Sequence, residues 1–127
     1  MQTTGTLPGP APSGIPGMNV EVMPTSQAAV VVPNGDLDAA SGAELKRTLE
    51  DLLAKGNTRL VVDMERVAYM DSVVWAELAT AAARARGAGG ELRVCTMRGE
   101  LLAILAMIRL SSLIAVFPTR KLATVFS

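Results

Sequence analysis

Ser72 follows Asp71 directly, and the pair stands between a short apolar stretch ending at Met70 and a long alanine-rich one. A serine so placed opens a helix, whose first N–H groups have no intrahelical partner and favour negative charge. Phosphorylation would add roughly −1.5 to −2 charges there, beside Asp71 and at the rim of an apolar surface containing Val73. The plainer reading of the same residue is an ordinary serine in a helix's first turn, and composition alone does not separate the two.

The other residues able to do chemistry are carboxylates and one thiol. Asp36, Asp38, Asp63 and Asp71 all lie near the ends of predicted elements. Brought together they would suit a hard cation, which takes oxygen ligands; separately, they are the residues that cap helices and close turns. No spaced cation-binding loop is present, so caps and turns are expected and no metal or other cofactor is implied. Asp63 ends an apolar strand, as a phosphate-accepting aspartate would, but the acidic pair needed for Mg²⁺ near the end of the first strand is missing. Cys95 has no intrachain partner and sits among Leu92, Val94 and Met97, which suits a buried thiol better than a reactive one.

The chain contains no histidine, which removes Ser-His-Asp and Cys-His catalysis, imidazole zinc sites and two-His iron centres together. Gly87-Ala88-Gly89-Gly90 runs from helix to strand, the reverse of a phosphate-cradling loop, and reads as a helix exit. Twelve basic and twelve acidic residues cancel, and aromatic residues are 3% of the chain. Neither a long-range field nor a stacking platform points to direct nucleic-acid binding. No run of about 18 consecutive apolar residues predicts membrane insertion, and no signal segment is evident, so a cytoplasmic location is expected. These features favour protein binding over catalysis.

The elements that position Ser72 follow from periodicity. Residues 1–17 are rich in Pro, Gly, Ser and Thr and read as a flexible tail, leaving residues 18–127 as one domain, with 50% hydrophobic residues to supply a core. Met18–Met23 alternates as a half-buried strand, Pro24-Thr25-Ser26 turns, and Ala28–Val32 forms a second, more apolar strand in a hairpin with it. Gly35-Asp36-Leu37-Asp38 leads into a helix capped by Ser41, with Glu44 completing a capping box, Leu45, Leu49 and Leu52 on its apolar face, and Gly56 as its stop. Arg59–Asp63 is an inner strand. Met64–Met70 is a connection that dips into the core, and Asp71 or Ser72 caps the next helix.

That helix carries Val74, Leu78, Ala81, Ala85 and Ala88 as its apolar stripe, opposed by Glu77, Thr80 and Arg84. Trp75 falls beside the stripe, where it either closes the core edge or stands out as an interface anchor. Glu91–Cys95 returns as a strand. A helix over Glu100–Ile108 turns Leu101, Leu102, Leu105 and Ile108 inward, Leu110–Leu113 is its exit, Ile114–Phe117 is an edge strand, and Pro118-Thr119 enters a last helical stretch carrying Leu122, Val125 and Phe126. Alternating strands and helices with short connections give a single α/β domain.

From about Met18 to Phe126 the chain resembles a STAS domain, particularly the bacterial anti-sigma factor antagonists. The resemblance is carried by Gly35-Asp36-Leu37-Asp38, Leu60-Val61-Val62-Asp63, Tyr69-Met70-Asp71-Ser72, Ala82–Gly90 and the Ile114–Leu122 pattern. It implies a mixed sheet of four to five strands with helices packed mainly on one face. It also implies that Ser72 accepts phosphate from a kinase-like anti-sigma factor, that the unphosphorylated domain binds this factor, and that a phosphatase restores binding; it leaves room for a homodimer. On the same grounds Asp36, Asp38, Asp71, Val73, Val74 and Trp75 surround Ser72 on the partner-binding surface. Many antagonists continue after Asp-Ser with a Ser/Thr-Gly-Leu-Gly-like segment, whereas this chain has Val73-Val74-Trp75-Ala76. Larger side chains there stiffen and enlarge the helix entrance. They favour the alternative of an unphosphorylated STAS scaffold subunit in a regulatory assembly or lipid-transport complex.

Overall fold

A computed structural model describes residues 20–25, 28–107 and 114–125 of the chain. The expected tail, the Leu110–Leu113 exit, Ile108 and Phe126 lie outside these residues, as does the side chain of Leu105. Strand β1 (Val20–Pro24) pairs antiparallel with β2 (Ala29–Pro33), Val22 opposite Val31. Thr25 closes the turn: its backbone N–H donates to the Ala28 carbonyl at 2.8 Å, and its hydroxyl accepts from the Ala28 N–H at 2.9 Å.

Three crossovers follow. Helix α1 (Ala39–Ala54) leads to β3 (Arg59–Asp63), α2 (Ser72–Gly87) to β4 (Glu91–Cys95), and α3 (Gly99–Met107) to β5 (Ala115–Phe117). Strands β2 to β5 are all parallel, and the sheet order is β1-β2-β3-β4-β5. Parallel neighbours need a crossover, and crossovers of one hand that each step to the next strand deliver their helices to the same face. Leu45 and Leu49 of α1, Val74, Trp75, Leu78 and Ala81 of α2, and Leu101 of α3 accordingly form one core with Ala29, Val31, Leu60, Val62, Leu92 and Val94. The alternate strand residues Val30, Val32 and Val61, with Cys95, face the other side, where the single turn α4 (Arg120–Ala123) inserts Ala123 among them.

Several local expectations are corrected. Helix α1 is capped by Asp38 rather than Ser41: the Asp38 carboxylate accepts from the Ser41 N–H at 2.9 Å, and the Asp38 N–H donates to the Ser41 hydroxyl oxygen at 3.0 Å. Ser41 is thus the third helical residue. Glu44, freed from capping, is buried and held by Arg47 at 2.8 Å. Ala88 is exposed as the C-cap of α2, Leu102 is partly exposed, and Leu122 and Val125 point outward because a single turn can bury only one side, here that of Ala123. Gly56 does end α1, taking a φ of +92° that other residues rarely adopt.

Candidate functional site

The site is assembled by two loops rather than by the sheet proper. Beyond the ends of β2 and β3, Leu37 and Met70 form an isolated parallel bridge. The Leu37 N–H donates to the Tyr69 carbonyl and the Asp71 N–H to the Leu37 carbonyl, both at 2.9 Å, while the Gly35 N–H reaches the Arg66 carbonyl at 3.0 Å. In extended chain successive side chains point to opposite sides. Leu37 and Met70 are therefore buried as pins, while their neighbours Asp36, Asp38 and Tyr69 are exposed and Asp71 is half-buried. Alternation in two three-residue stretches, Asp36-Leu37-Asp38 and Tyr69-Met70-Asp71, each with its middle residue buried, is what builds this ledge.

Both helices start from it. Asp38 caps α1, and Asp71 caps α2 by accepting from the Val73 N–H at 3.0 Å. The N-termini of α1 and α2 thus lie side by side, their first turns in contact where Gly42 meets the Val74 side chain; a Cβ on residue 42 would collide with it. Ser72 is the first residue of α2 and is exposed, and Val73 is 51% exposed. Asp36, Asp38, Asp71, Ser72 and Val73 are therefore brought together on one surface.

Val74 and Trp75, expected on that surface, are not there. They are 0% and 1% exposed and belong to the core. With about 100° of turn per residue, a helix that shows Ser72 and Val73 to solvent carries the next two residues to its sheet side. Trp75 thereby closes the core edge, its indole Nε1 without a hydrogen-bond partner. Tyr69, 54% exposed on the ledge, takes the surface aromatic position instead, and the alternation around Met70 was the signal that could have found it.

The charged groups of the ledge are the carboxylates Asp36, Asp38 and Asp71. The Asp38 carboxyl is held below the ordinary aspartate value, first by the Ser41 N–H bond and then by the Ser41 hydroxyl. Among the described residues no three His, Cys, Asp or Glu side chains are arranged to hold a metal ion. Asp63 is buried elsewhere, bound to Arg120 at 2.7 Å and accepting from the Glu65 N–H at 3.0 Å, so its role is to fasten α4. Burial, reinforced by the Asp63 carboxylate, pushes the neighbouring Cys95 thiol up to about 12, which keeps it protonated. What the site can offer chemically is an accessible hydroxyl at a paired helix entrance. Among the described residues no helix is long and apolar enough to cross a membrane.

Solved structures share this fold. An anti-sigma factor antagonist from Mycobacterium paratuberculosis superposes with a TM-score of 0.76 at 20% identity, over 84% of this chain and 91% of that one. The anti-sigma factor antagonist SpoIIAA in its unphosphorylated form gives 0.67 at 14% identity, over 83% and 91%. The Bacillus cell fate determinant SpoIIAA in its phosphorylated form gives 0.66 at 17% identity, over 84% and 96%. At these identities the likeness is one of fold. No curated protein matches the chain. A family model described as "Mlab, STAS domain" matches residues 21–115, from β1 through the three crossovers to the first residue of β5. The sheet order, the helices over one face and this match agree, and the chain belongs to the STAS domain family.

Proposed function

We propose that this chain is a non-catalytic partner-switching protein, an anti-sigma factor antagonist whose binding to a kinase-like anti-sigma factor is ended by phosphorylation of Ser72. The observation that carries the reading is the exposure of Ser72 as the first residue of α2, on the surface it shares with Asp36, Asp38, Asp71 and Val73. The γ-phosphoryl group of ATP held by the partner would pass to the Ser72 oxygen. The bond to the β-phosphate breaks, the serine proton goes to a base on the partner, and ADP leaves. A separate phosphatase would hydrolyse the ester and restore binding.

Energetics give the switch its direction. A phosphate beside a helix N-terminus gains about 0.3–1 kcal/mol from the unpaired N–H groups, enough to be tolerated by the folded domain. The same group trapped under an apolar contact loses hydration worth several kcal/mol. The domain stays folded and the partner leaves. Incubation with the kinase-like anti-sigma factors of the producing cell, followed by intact-mass analysis and peptide mapping, should place one phosphate on Ser72 and none on Ser72→Ala. Ser72→Asp should bind the same factor more weakly, and Ser72→Ala as well as the native chain. Phosphate on another residue, or none despite productive binding, would overturn the switch.

One observation favours a second reading. The matching family model carries the description "Mlab, STAS domain". A scaffold subunit of a regulatory assembly or lipid-transport complex would use the same surface for a permanent contact, with Ser72 unmodified. Equal affinities of the native chain, Ser72→Ala and Ser72→Asp for a stable partner would select it.

A further inference from the structure

Tyr69 is the one tyrosine of the chain, and the residue is 54% exposed on a loop tied down by its backbone. Its carbonyl accepts from Leu37, and the buried side chains of Val67 and Met70 pin the loop on either side. The other described aromatic residues are used internally. Trp75 is in the core, and Phe117 lies under the Arg93 guanidinium, 5.0 Å from ring centroid to Cζ. A rigidly presented ring with a polar tip loses little conformational entropy on binding, which is why such residues dominate docking energetics. Val73 is similarly exposed and follows Ser72 in the chain as Tyr69 precedes Asp71-Ser72, so two exposed side chains with apolar surface flank Ser72 in sequence.

The rim around them is acidic. Asp38 and Asp71 spend one oxygen each on helix N–H groups, Asp36 is exposed, and none of the three forms an ion pair among the described residues. Arg66, the cation on the same pair of loops, already has an interaction of its own. In a chain whose formal charge is zero, this ledge is a local concentration of negative charge around two apolar side chains.

We propose that Tyr69 is the anchor of the docking surface, and that the partner face it enters is an apolar recess rimmed by lysine or arginine. The proposal rests on the reading of the Ser72 ledge as a partner surface, and it adds the residue that supplies the affinity and the charge of the partner. A positive rim also divides the labour: the carboxylates set approach, Tyr69 and Val73 set residence, and Ser72 lies under the contact where an added group interferes.

The test uses the full chain with p-benzoylphenylalanine in place of Val73, photo-crosslinked in the cells that make it. The captured protein is identified, purified and titrated with unphosphorylated variants of the chain. Tyr69→Ala should weaken binding by roughly 30-fold or more, the scale of an interface hot spot. Tyr69→Phe should stay within a few-fold, and Val22→Ala, which trims an exposed apolar side chain on the edge strand β1, should bind as the native chain. Affinity should fall with added salt, and less steeply for Asp36→Asn. Native-like binding by Tyr69→Ala, or affinity indifferent to salt, would overturn the inference while leaving the ledge as a docking surface. Absence of any captured protein would instead sink the surface on which both rest.

Discussion

At the scale of single residues, the ledge depends on two aspartates doing the same task in consecutive crossovers. Asp38 and Asp71 each turn an extended segment into a helix by accepting an N–H that the helix leaves unpaired. For Asp38 the consequence is measurable by pH. Its carboxyl is held below 3.8, the ordinary aspartate value, by the Ser41 N–H and hydroxyl. A carboxyl whose value is lowered by folding stabilises the folded chain fully above its unfolded value, and that contribution is lost as pH falls through the lowered one. Asp38→Asn keeps an acceptor at the cap but removes the ionisation. Urea midpoints followed from neutral pH to below 3.8 should therefore fall less steeply for Asp38→Asn than for the native chain. Parallel curves would mean that the Asp38 charge does nothing for the cap.

At the scale of elements, α1 and α2 must approach closely for their two N-termini to share a surface. Gly42 permits this, because the Val74 side chain occupies the space a Cβ would need. Two effects oppose one another in Gly42→Ala. Alanine is better than glycine in a helix by about 1 kcal/mol, while overpacking a filled seam costs about 1–3 kcal/mol. Val74 is fully buried and, being β-branched, is stiff at χ1, so it cannot swing away. Gly42→Ala should be net destabilising, by up to about 2 kcal/mol in a denaturant titration. In a Val74→Ala background, where the obstacle is gone, the same change should become stabilising by the propensity difference. An unchanged sign would place the helices further apart than described. None of this was legible from the helix pattern of α1, where Gly42 reads only as a weak helix former. The stripe Val74, Leu78, Ala81 and Ala85 was legible, because a 3.6-residue period declares which side of α2 is buried. Trp75 was ambiguous because it lies at the edge of that stripe, where angle alone does not separate core from surface. The cap of α1 was misplaced by three residues for a related reason: Asp38 and Ser41 are both good caps, and only the Leu37 bridge fixes where the helix begins.

At the scale of the whole molecule, a single α/β domain was legible in the alternation of elements with short connections, and the STAS resemblance implied the mixed sheet with helices mainly on one face, but the order of the strands was not read. Nor was the means of closing the second face. There α4, a single turn, is held at one end by Arg120 on the buried Asp63 at 2.7 Å. At the other, Arg93 donates to the carbonyls of Ala123 and Val125 at 3.3 and 2.7 Å. Such contacts join residues 57 and 30 or more positions apart, which no local pattern reveals. Their role can be read through the thiol beneath. Cys95 lies in the cluster that Ala123 completes, and its thiol, pushed up to about 12 mainly by burial, reacts only when the face opens. Arg120→Ala removes the ion-pair partner of the Asp63 carboxylate and leaves it the Glu65 N–H and the Cys95 thiol, at a cost of about 1–3 kcal/mol. The lower part of that range is expected, because Arg120 is itself partly exposed and water can replace it. A cost of 1–2 kcal/mol raises an open population roughly 5- to 30-fold, so the rate of Cys95 alkylation under native conditions should rise by that factor. Adding Asp63→Asn, which removes the stranded charge, should bring the rate back toward that of the native chain. Alkylation unaffected by Arg120→Ala would mean that α4 does not guard this face.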